Sequence, residues 1–432
     1  MRIPARVRAT MAPPLGPLME RAAARRREGR ELFMLAQAMV DCPPPPAFTR
    51  ALADALRAGD PAMHRYAPDP GTAELRRALA AHLAGSFGLA PDPERELLVT
   101  PGANQAAYQL LSVLLDPGDE ALLVTPWYFN HEMAIRLLGG RARTAPAEAA
   151  SGFVPSIESL LAAWTPRLRL LVLVSPNNPT GARYPDDWLR ALAGAIAGDE
   201  RWRGVWILCD QTYQELYFEG GPPLSLGALP ELSGRVLTVG SFSKSFALAG
   251  WRLGFLCGPA GVLDQALKVQ DSSVICAPHA AQIALAHVLD AREEAEAYLA
   301  TSRERLRRRR DALLAPLREA GRWELNVPGG ACFAFVGLPG GASSASRLAA
   351  AASTAAPATA APAIAASEPA GAQPGAAAAF AGSLLEAEGV AVVTGEVFGP
   401  RWSRFLRLGF GTESEERLSE AGRRIARHWA GM

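Results

Sequence analysis

Six short apolar runs within one stretch of chain constrain the fold more than any other feature. They are 96–100 (ELLVT), 120–126 (EALLVTP), 168–176 (LRLLVLVSP), 204–210 (GVWILCD), 235–241 (RVLTVGS) and 252–258 (RLGFLCG). Each is nearly unbroken rather than alternating apolar with polar residues, the pattern of a strand covered on both faces. Helix-like stretches separate them, so the region from 48 to about 290 reads as a mainly parallel sheet sandwiched by helices. Ligands of such sheets bind outside the carboxyl ends of the strands. The residues that close each run are therefore the ones to weigh for function.

At 432 residues the chain is too long for one simple core and suits two domains. The reading is a large domain over 48–290 and a smaller α+β domain built from 1–47 and 291–432, with residues 1–47 including an N-terminal arm. A charged helical run, roughly 291–320, leads from one to the other, and its arginine cluster reads as a solvated face. Residues 341–381 are almost all Ala, Ser, Pro and Gly, which cannot bury a core, and read as a flexible surface insertion without chemistry. Pro43 to Pro46 mark an extended connection near the start of the large domain.

A formal net charge of +1 gives no sign of a nucleic-acid or membrane partner. No apolar run is long enough to span a bilayer, and the basic N-terminus has no apolar segment of the secretory kind. Cys42, Cys209, Cys257, Cys276 and Cys332 are scattered, odd in number and without a CxxC pair. That argues against a disulfide framework or a metal site and fits a reducing cytoplasm.

The sharpest compositional fact concerns lysine. Of 44 Lys plus Arg residues, only Lys244 and Lys268 are lysines. Either residue serves as surface charge, but attachment to an aldehyde requires an amine that can lose its proton, which a guanidinium cannot supply. Lys268 lies in a helix-like stretch, VLDQALKVQ, and reads as a chance survivor. Lys244 lies in SFSKSFALAGWRLG, 241–254, directly after an apolar run. Ser241 and Ser243 flank it, and Arg252 follows eight residues on. Hydroxyls and a guanidinium suit a phosphate dianion, and with the amine they form the set that pyridoxal 5′-phosphate requires. As a bare pattern, S-x-S-K is also compatible with an ordinary loop.

The segment around Lys244 resembles the lysine signature of the class I/II aminotransferases, which belong to fold type I of the pyridoxal-phosphate enzymes. Further motifs follow in the family's order from about residue 30 to the C-terminus. The resemblance implies a large domain with a mainly parallel seven-stranded sheet, a smaller α+β domain, pyridoxal 5′-phosphate as cofactor, and a homodimer. In TPGANQAAYQLL, 100–111, a strand turns into a helix. The backbone N–H groups of Gly102, Ala103 and Asn104 would open there as a phosphate cradle. Tyr128, in TPWYFNHE, matches the aromatic that stacks on the cofactor ring, with Trp127 as the neighbour that a one-residue shift would promote. His131 matches a position that in some members supports the aspartate under the ring; an exposed helix-start histidine is the other reading. Asn178, in SPNNPTG, would donate to the cofactor's phenolic oxygen and border the substrate, on a turn shaped by Pro179 and Gly181. Asp210, in CDQTYQEL, resembles the carboxylate paired with the ring nitrogen, and Tyr213 the tyrosine on the phenolic oxygen. Tyr66, in YAPDPGTAELR, resembles a tyrosine that reaches the phosphate of the neighbouring subunit. Arg407, in FLRLGFG, fits the arginine that holds the substrate carboxylate, with Arg404 as a nearby competitor.

One departure stands out. In LAQAMVDCPPPP, 35–46, Ala38 replaces a glycine usual in the family beside the substrate carboxylate. A pocket edge unlike that of typical aspartate aminotransferases is expected. No second arginine is identifiable for a distal carboxylate, which favours a neutral or aromatic amino donor. The expected activity is ping-pong transfer of an amino group between an L-amino acid and a 2-oxo acid. Lys244 serves there as anchor and base, with Asp210 and Tyr213 beside it. The alternative is a lyase or cyclase on the same fold.

Overall fold

A computed structural model describes residues 2–340 and 375–432. The first strand, β1 (Phe33–Met34), stands apart from the large sheet, whose strands are β2 (Leu97–Thr100), β3 (Glu120–Thr125), β4 (Arg141–Pro146), β5 (Leu168–Val174), β6 (Trp206–Asp210), β7 (Val236–Ser241) and β8 (Gly254–Cys257). These seven run in the order β2-β8-β7-β6-β5-β3-β4. Only β8 is antiparallel to its neighbours. All six apolar runs became strands, and their side chains are buried almost throughout.

The seventh strand, β4, matches none of those runs. Its sequence, RARTAP, is mostly half-exposed, because it lies at the sheet edge and pairs with β3 alone. A strand with one covered side carries no continuous apolar signal. Helices Ala103–Leu114, Phe129–Leu137, Ile157–Ala162 and Asp186–Gly198 connect successive strands of this sheet. The carboxyl ends Thr100, Thr125, Val174, Asp210 and Ser241 consequently meet along one edge.

A second, four-stranded antiparallel sheet contains β9 (Glu324–Leu325), β10 (Phe333–Gly337), β12 (Val393–Thr394) and β13 (Phe405–Gly409). Beside it β1 pairs in parallel with β11 (Val390–Ala391), which ties residues 33–34 to the C-terminal third of the chain. Helix Arg292–Ala320 packs along the last helix, Glu415–Gly431. Near the N-terminus, helix Ala5–Ala9 rests on helix Phe129–Leu137, where Arg6 Nε donates to the Leu137 carbonyl at 2.9 Å. Helix Gly16–Arg27 is tethered to helix Ala376–Glu388 through Arg21 and Glu386, 2.7 Å apart. Of the expected insertion at 341–381, residues 341–374 lie outside the described residues. Residues 376–381 open helix Ala376–Glu388, with Ala377, Phe380 and Ala381 buried.

Candidate active site

The strand ends of the large sheet border a cavity of about 200 Å³, closed on the other side by β13 and the strap around residue 38. Its wall includes Lys244, Asp210, Arg407 and Arg252, together with Asn104, Tyr128, Asn178, Tyr213, Ser241 and Ser243. Most of the residues singled out in the sequence thus converge in one place.

Lys244 follows β7 on the short helix Phe242–Ser245 and points its amine at the Ala38 carbonyl. Burial, helped by the Arg407 and Arg252 charges and opposed by Cys332, holds that amine below its ordinary value of 10.5. A free amine is the form that attacks an aldehyde. The rate at which cofactor-free protein captures pyridoxal phosphate should therefore rise with pH and level off below 10.5. A rate still climbing through that pH contradicts the effect of burial.

Beside the amine, Ser241 Oγ lies 2.8 Å from Ser243 Oγ and accepts from the Ser243 N–H at 3.1 Å. Arg252 adopts the left-handed conformation, φ +53°, at a cost on the order of 1 kcal/mol for a non-glycine residue. That turn lets its guanidinium donate to the carbonyls of Ala249 (3.0 Å) and Pro101 (3.2 Å), next to the start of helix Ala103–Leu114. Gly102 is required there. Its φ is +85°, and a Cβ would sit 2.7 Å from Arg252 Nη2.

The expected cradle is smaller than the sequence suggested. The Gly102 N–H is spent on the Thr100 carbonyl at 2.7 Å, and Gly102 does not line the cavity. Ala103 and Asn104 do line it, at the first turn of a 12-residue helix whose opening N–H groups lack intrahelical acceptors.

Asp210 ends β6, with Oδ1 accepting from the Thr212 N–H at 3.0 Å and Oδ2 3.3 Å from His131 Nε2. Burial alone would raise its pKa. The hydrogen bond and charge of His131, with the bonds from Thr212, outweigh it and hold the carboxyl below its ordinary value of 3.8. His131 is buried, so the exposed reading is excluded. Its ring meets Tyr128 edge-on, centroids 5.3 Å apart. Tyr128 hydroxyl contacts Asn104 Oδ1 at 3.2 Å and accepts from Asn130 Nδ2 at 2.9 Å. Trp127 does not line the cavity; it is buried among apolar residues, and its backbone N–H donates to the Phe398 carbonyl at 3.0 Å. Tyr128 rather than Trp127 therefore presents its ring to the site.

Arg407 is buried on β13 between the rings of Phe333 and Phe398, with its guanidinium carbon 5.3 and 5.2 Å from their centroids. It donates to Asn178 Oδ1 at 3.1 Å and to the Ala36 carbonyl at 2.8 Å. With its oxygen so engaged, Asn178 offers its Nδ2 hydrogens as donors. The turn that aims Asn178 depends on Gly181, φ +67°, where a Cβ would come within 2.5 Å of Pro328. Tyr213 is buried edge-on to Phe333, centroids 5.2 Å apart, and burial pushes its phenol well above its ordinary value. Arg404 donates instead to the Leu338 and Pro339 carbonyls, away from the cavity. Lys268 is exposed and bonds Gln265 at 2.7 Å.

Tyr66 lies elsewhere: it is 76% exposed, beside His64, Val274 and His279, and does not line the cavity formed within one chain. The sequence also left out some wall residues. Thr212 had a signal, two positions after Asp210 on the same strand end. Leu15 had none, because it reaches the site from the N-terminal segment without any motif around it.

The donor set fits pyridoxal 5′-phosphate. It supplies an amine of lowered pKa, two adjacent hydroxyls and a guanidinium at a helix start, and an ionised carboxylate backed by a histidine. Arg407 Nε, buried and without a hydrogen-bond partner among the described residues, is left for a further anion. Residues 32–425 match the family model described as aminotransferase class I and II. The chain is a class I and II aminotransferase. It is similar to a probable aspartate/prephenate aminotransferase of Thermus aquaticus, with 37% identity over 73% of this chain and 79% of that one. It is also similar to an arginine–pyruvate transaminase of Pseudomonas aeruginosa, with 32% identity over 94% and 92%. Among solved structures, Thermus thermophilus aspartate aminotransferase with a double mutation superposes with a TM-score of 0.83 at 33% identity, covering 99% of this chain and 100% of that one. This aminotransferase accordingly uses pyridoxal phosphate to move an amino group between an amino acid and a 2-oxo acid, on the fold type I architecture. No described helix is long and apolar enough to cross a membrane.

Proposed function

We propose that this aminotransferase acts on amino donors with neutral or aromatic side chains, with Lys244, Asp210 and Arg407 as its working groups. The observation that carries this reading is the inventory of cations on the cavity wall. Besides the amine of Lys244 there are two guanidiniums, Arg252 and Arg407, and the remaining wall includes Leu15, Phe129 and Ala249. Arg252 belongs with Ser241 and Ser243 at the phosphate. Arg407 is then left for the α-carboxylate, which two parallel bonds would orient. A distal carboxylate finds no third cation among the described wall residues and would pay for its desolvation unpaired.

When bound, the cofactor supplies a ring that draws off the electrons left behind as the donor loses its α-proton. The protein's own groups do the rest. The amine of Lys244 would serve as the base that takes up the donor's α-proton and as the acid that gives it back. Asp210, kept ionised by His131 and Thr212, holds a proton on the ring nitrogen. Asn178 and Tyr213, on the same wall, would offer hydrogen bonds to the phenolic oxygen, and Tyr128 would pack against the ring. Tyr66, exposed on one chain, is assigned to the phosphate of a second subunit in a homodimer. The five free cysteines fit a reducing cytoplasm.

A panel of donors mixed with the loaded enzyme, without acceptor, tests the reading. Aromatic and neutral donors should convert the bound cofactor to its amine form faster than aspartate, and release of 2-oxo acid beyond one turnover should require a second 2-oxo acid. Aspartate as the fastest donor overturns the assignment. It would favour the dicarboxylic reading suggested by the names of the Thermus relatives. Continuous 2-oxo acid formation without acceptor would point to elimination instead.

A further inference from the structure

Outside the cavity, one buried pair of titratable side chains joins the two segments that carry its working groups. The loop after Asp210 is pinned by side chains along its length. Gln211 Oε1 accepts from Ser225 Oγ at 3.0 Å, and Gln214 Nε2 donates to the Pro223 carbonyl. Both pins hold the loop to residues 223–225. The third pin is different. Glu215 Oε1 stands 2.8 Å from His82 Nε2, on helix Ala73–Phe87, with the two side chains 9% and 10% exposed. Neither atom makes an aligned hydrogen bond, to the other or to any further group among the described residues, so the two meet as a close buried polar contact.

The same imidazole touches the lysine segment. Its ring centroid lies 6.5 Å from that of Phe242 and 6.2 Å from that of Phe246, the residues two positions either side of Lys244. Those two rings stack on each other at 6.0 Å, and Phe87 closes the cluster at 6.3 Å from His82. His82 is therefore wedged between two limbs. One carries Lys244; the other carries Asp210, Thr212 and Tyr213. Neither His82 nor Glu215 lines the cavity.

A buried polar pair with no other partners is costly to break from one side only, because the remaining group is left desolvated and unpaired. An apolar contact at this junction would leave the loop free to slide over the aromatic cluster. The buried contact between Glu215 and His82 opposes that sliding. We propose that His82 and Glu215 are positioning residues, which set the placement of Tyr213 and Asp210 relative to the Lys244 amine. The inference rests on the roles given above to those three residues. Displacements of about 1 Å in such a set are enough to slow chemistry by up to about 10²-fold.

The test uses the loaded enzyme and the variants His82→Leu, Glu215→Leu and Glu215→Gln. The readouts are the pH midpoint of the visible absorbance of the lysine-bound cofactor, the cofactor dissociation constant, kcat, KM and Tm. Both leucine variants are expected to move the midpoint by at least about half a pH unit and to lower kcat roughly 10-fold, with KM changed less than about threefold. Glu215→Gln, which keeps an acceptor for His82, should recover at least half of both effects, and it carries the test if the leucine variants do not fold. A lower Tm with the midpoint and kcat unmoved overturns the proposal, since the pair would then serve stability alone. Failure of the Lys244 assignment is distinguishable, because the unmutated chain would itself show no lysine-bound absorbance.

Discussion

Replacing Lys244 by alanine should remove the visible absorbance of the lysine-bound cofactor and lower turnover at least about 10³-fold. Two effects combine. A well-placed acid–base group is worth roughly 10²–10⁴ in rate, and the same amine is proposed to anchor the cofactor against diffusion. No other amine is available to replace it: Lys268, the chain's second lysine, lies exposed on helix Ala260–Ser273 and bonds Gln265. A guanidinium does not supply the amine that an aldehyde requires, so Arg252 and Arg407 do not substitute. Ser241, Ser243 and Arg252, the residues proposed to hold the phosphate, remain in the variant, so cofactor should still bind, more weakly and without the shifted absorbance. Turnover close to that of the unmutated enzyme would sink the assignment.

The second large effect is expected for Asp210→Asn, with the opposite spectroscopic outcome. The variant should keep the lysine-bound absorbance and lose about 10²–10³ in kcat, with little change in KM. Removing one member of a buried charge pair costs about 2–5 kcal/mol, roughly 30- to 5,000-fold, and the expected loss falls inside that span. Asparagine has nearly the same shape, so the Thr212 contact at 3.0 Å survives. The neutral amide would not perform the role proposed for Asp210, holding a proton on the ring nitrogen. Simultaneous loss of absorbance and turnover would place Asp210 in cofactor anchoring instead. The same carboxylate bears on stability. Its folded pKa lies below the ordinary 3.8, so its contribution is complete above that value and is lost as pH falls through the depressed one. In the asparagine variant this part of the acid sensitivity should disappear.

Both predictions concern residues that the sequence singled out, for a local reason. Asp210 and Ser241 each close an apolar run, and a continuous apolar run marks a strand buried on both faces. Asn178 follows another such run, on a turn whose Asn-Pro-x-Gly pattern is itself a local signal. Lys244 was legible through its scarcity and its serine neighbours. His131 was legible only as a choice between a buried support and an exposed helix start, because its own segment carries no record of the strand that covers it. The strand β4 was not legible, since this edge strand carries two arginines and a threonine that stay at least partly exposed and interrupt any apolar run. Nor was the reduced cradle at Gly102, where a single backbone bond to Thr100 decides which N–H groups stay free.

By itself the sequence determined which chemical groups the protein owns and that a mainly parallel sheet would present several of them on one edge. Local patterns report local burial and backbone shape, and those are the properties they settle. Only the tertiary structure decided which distant groups meet. Arg407 reaches Asn178 across 229 positions, and Lys244 reaches the Ala38 carbonyl across 206. Leu15 enters the cavity from a helix start with no motif, and His82 finds Glu215 from a different element. Such contacts follow from strand order and from the docking of the second sheet against the first. They depend on the whole chain closing around one cavity, which no window of sequence contains.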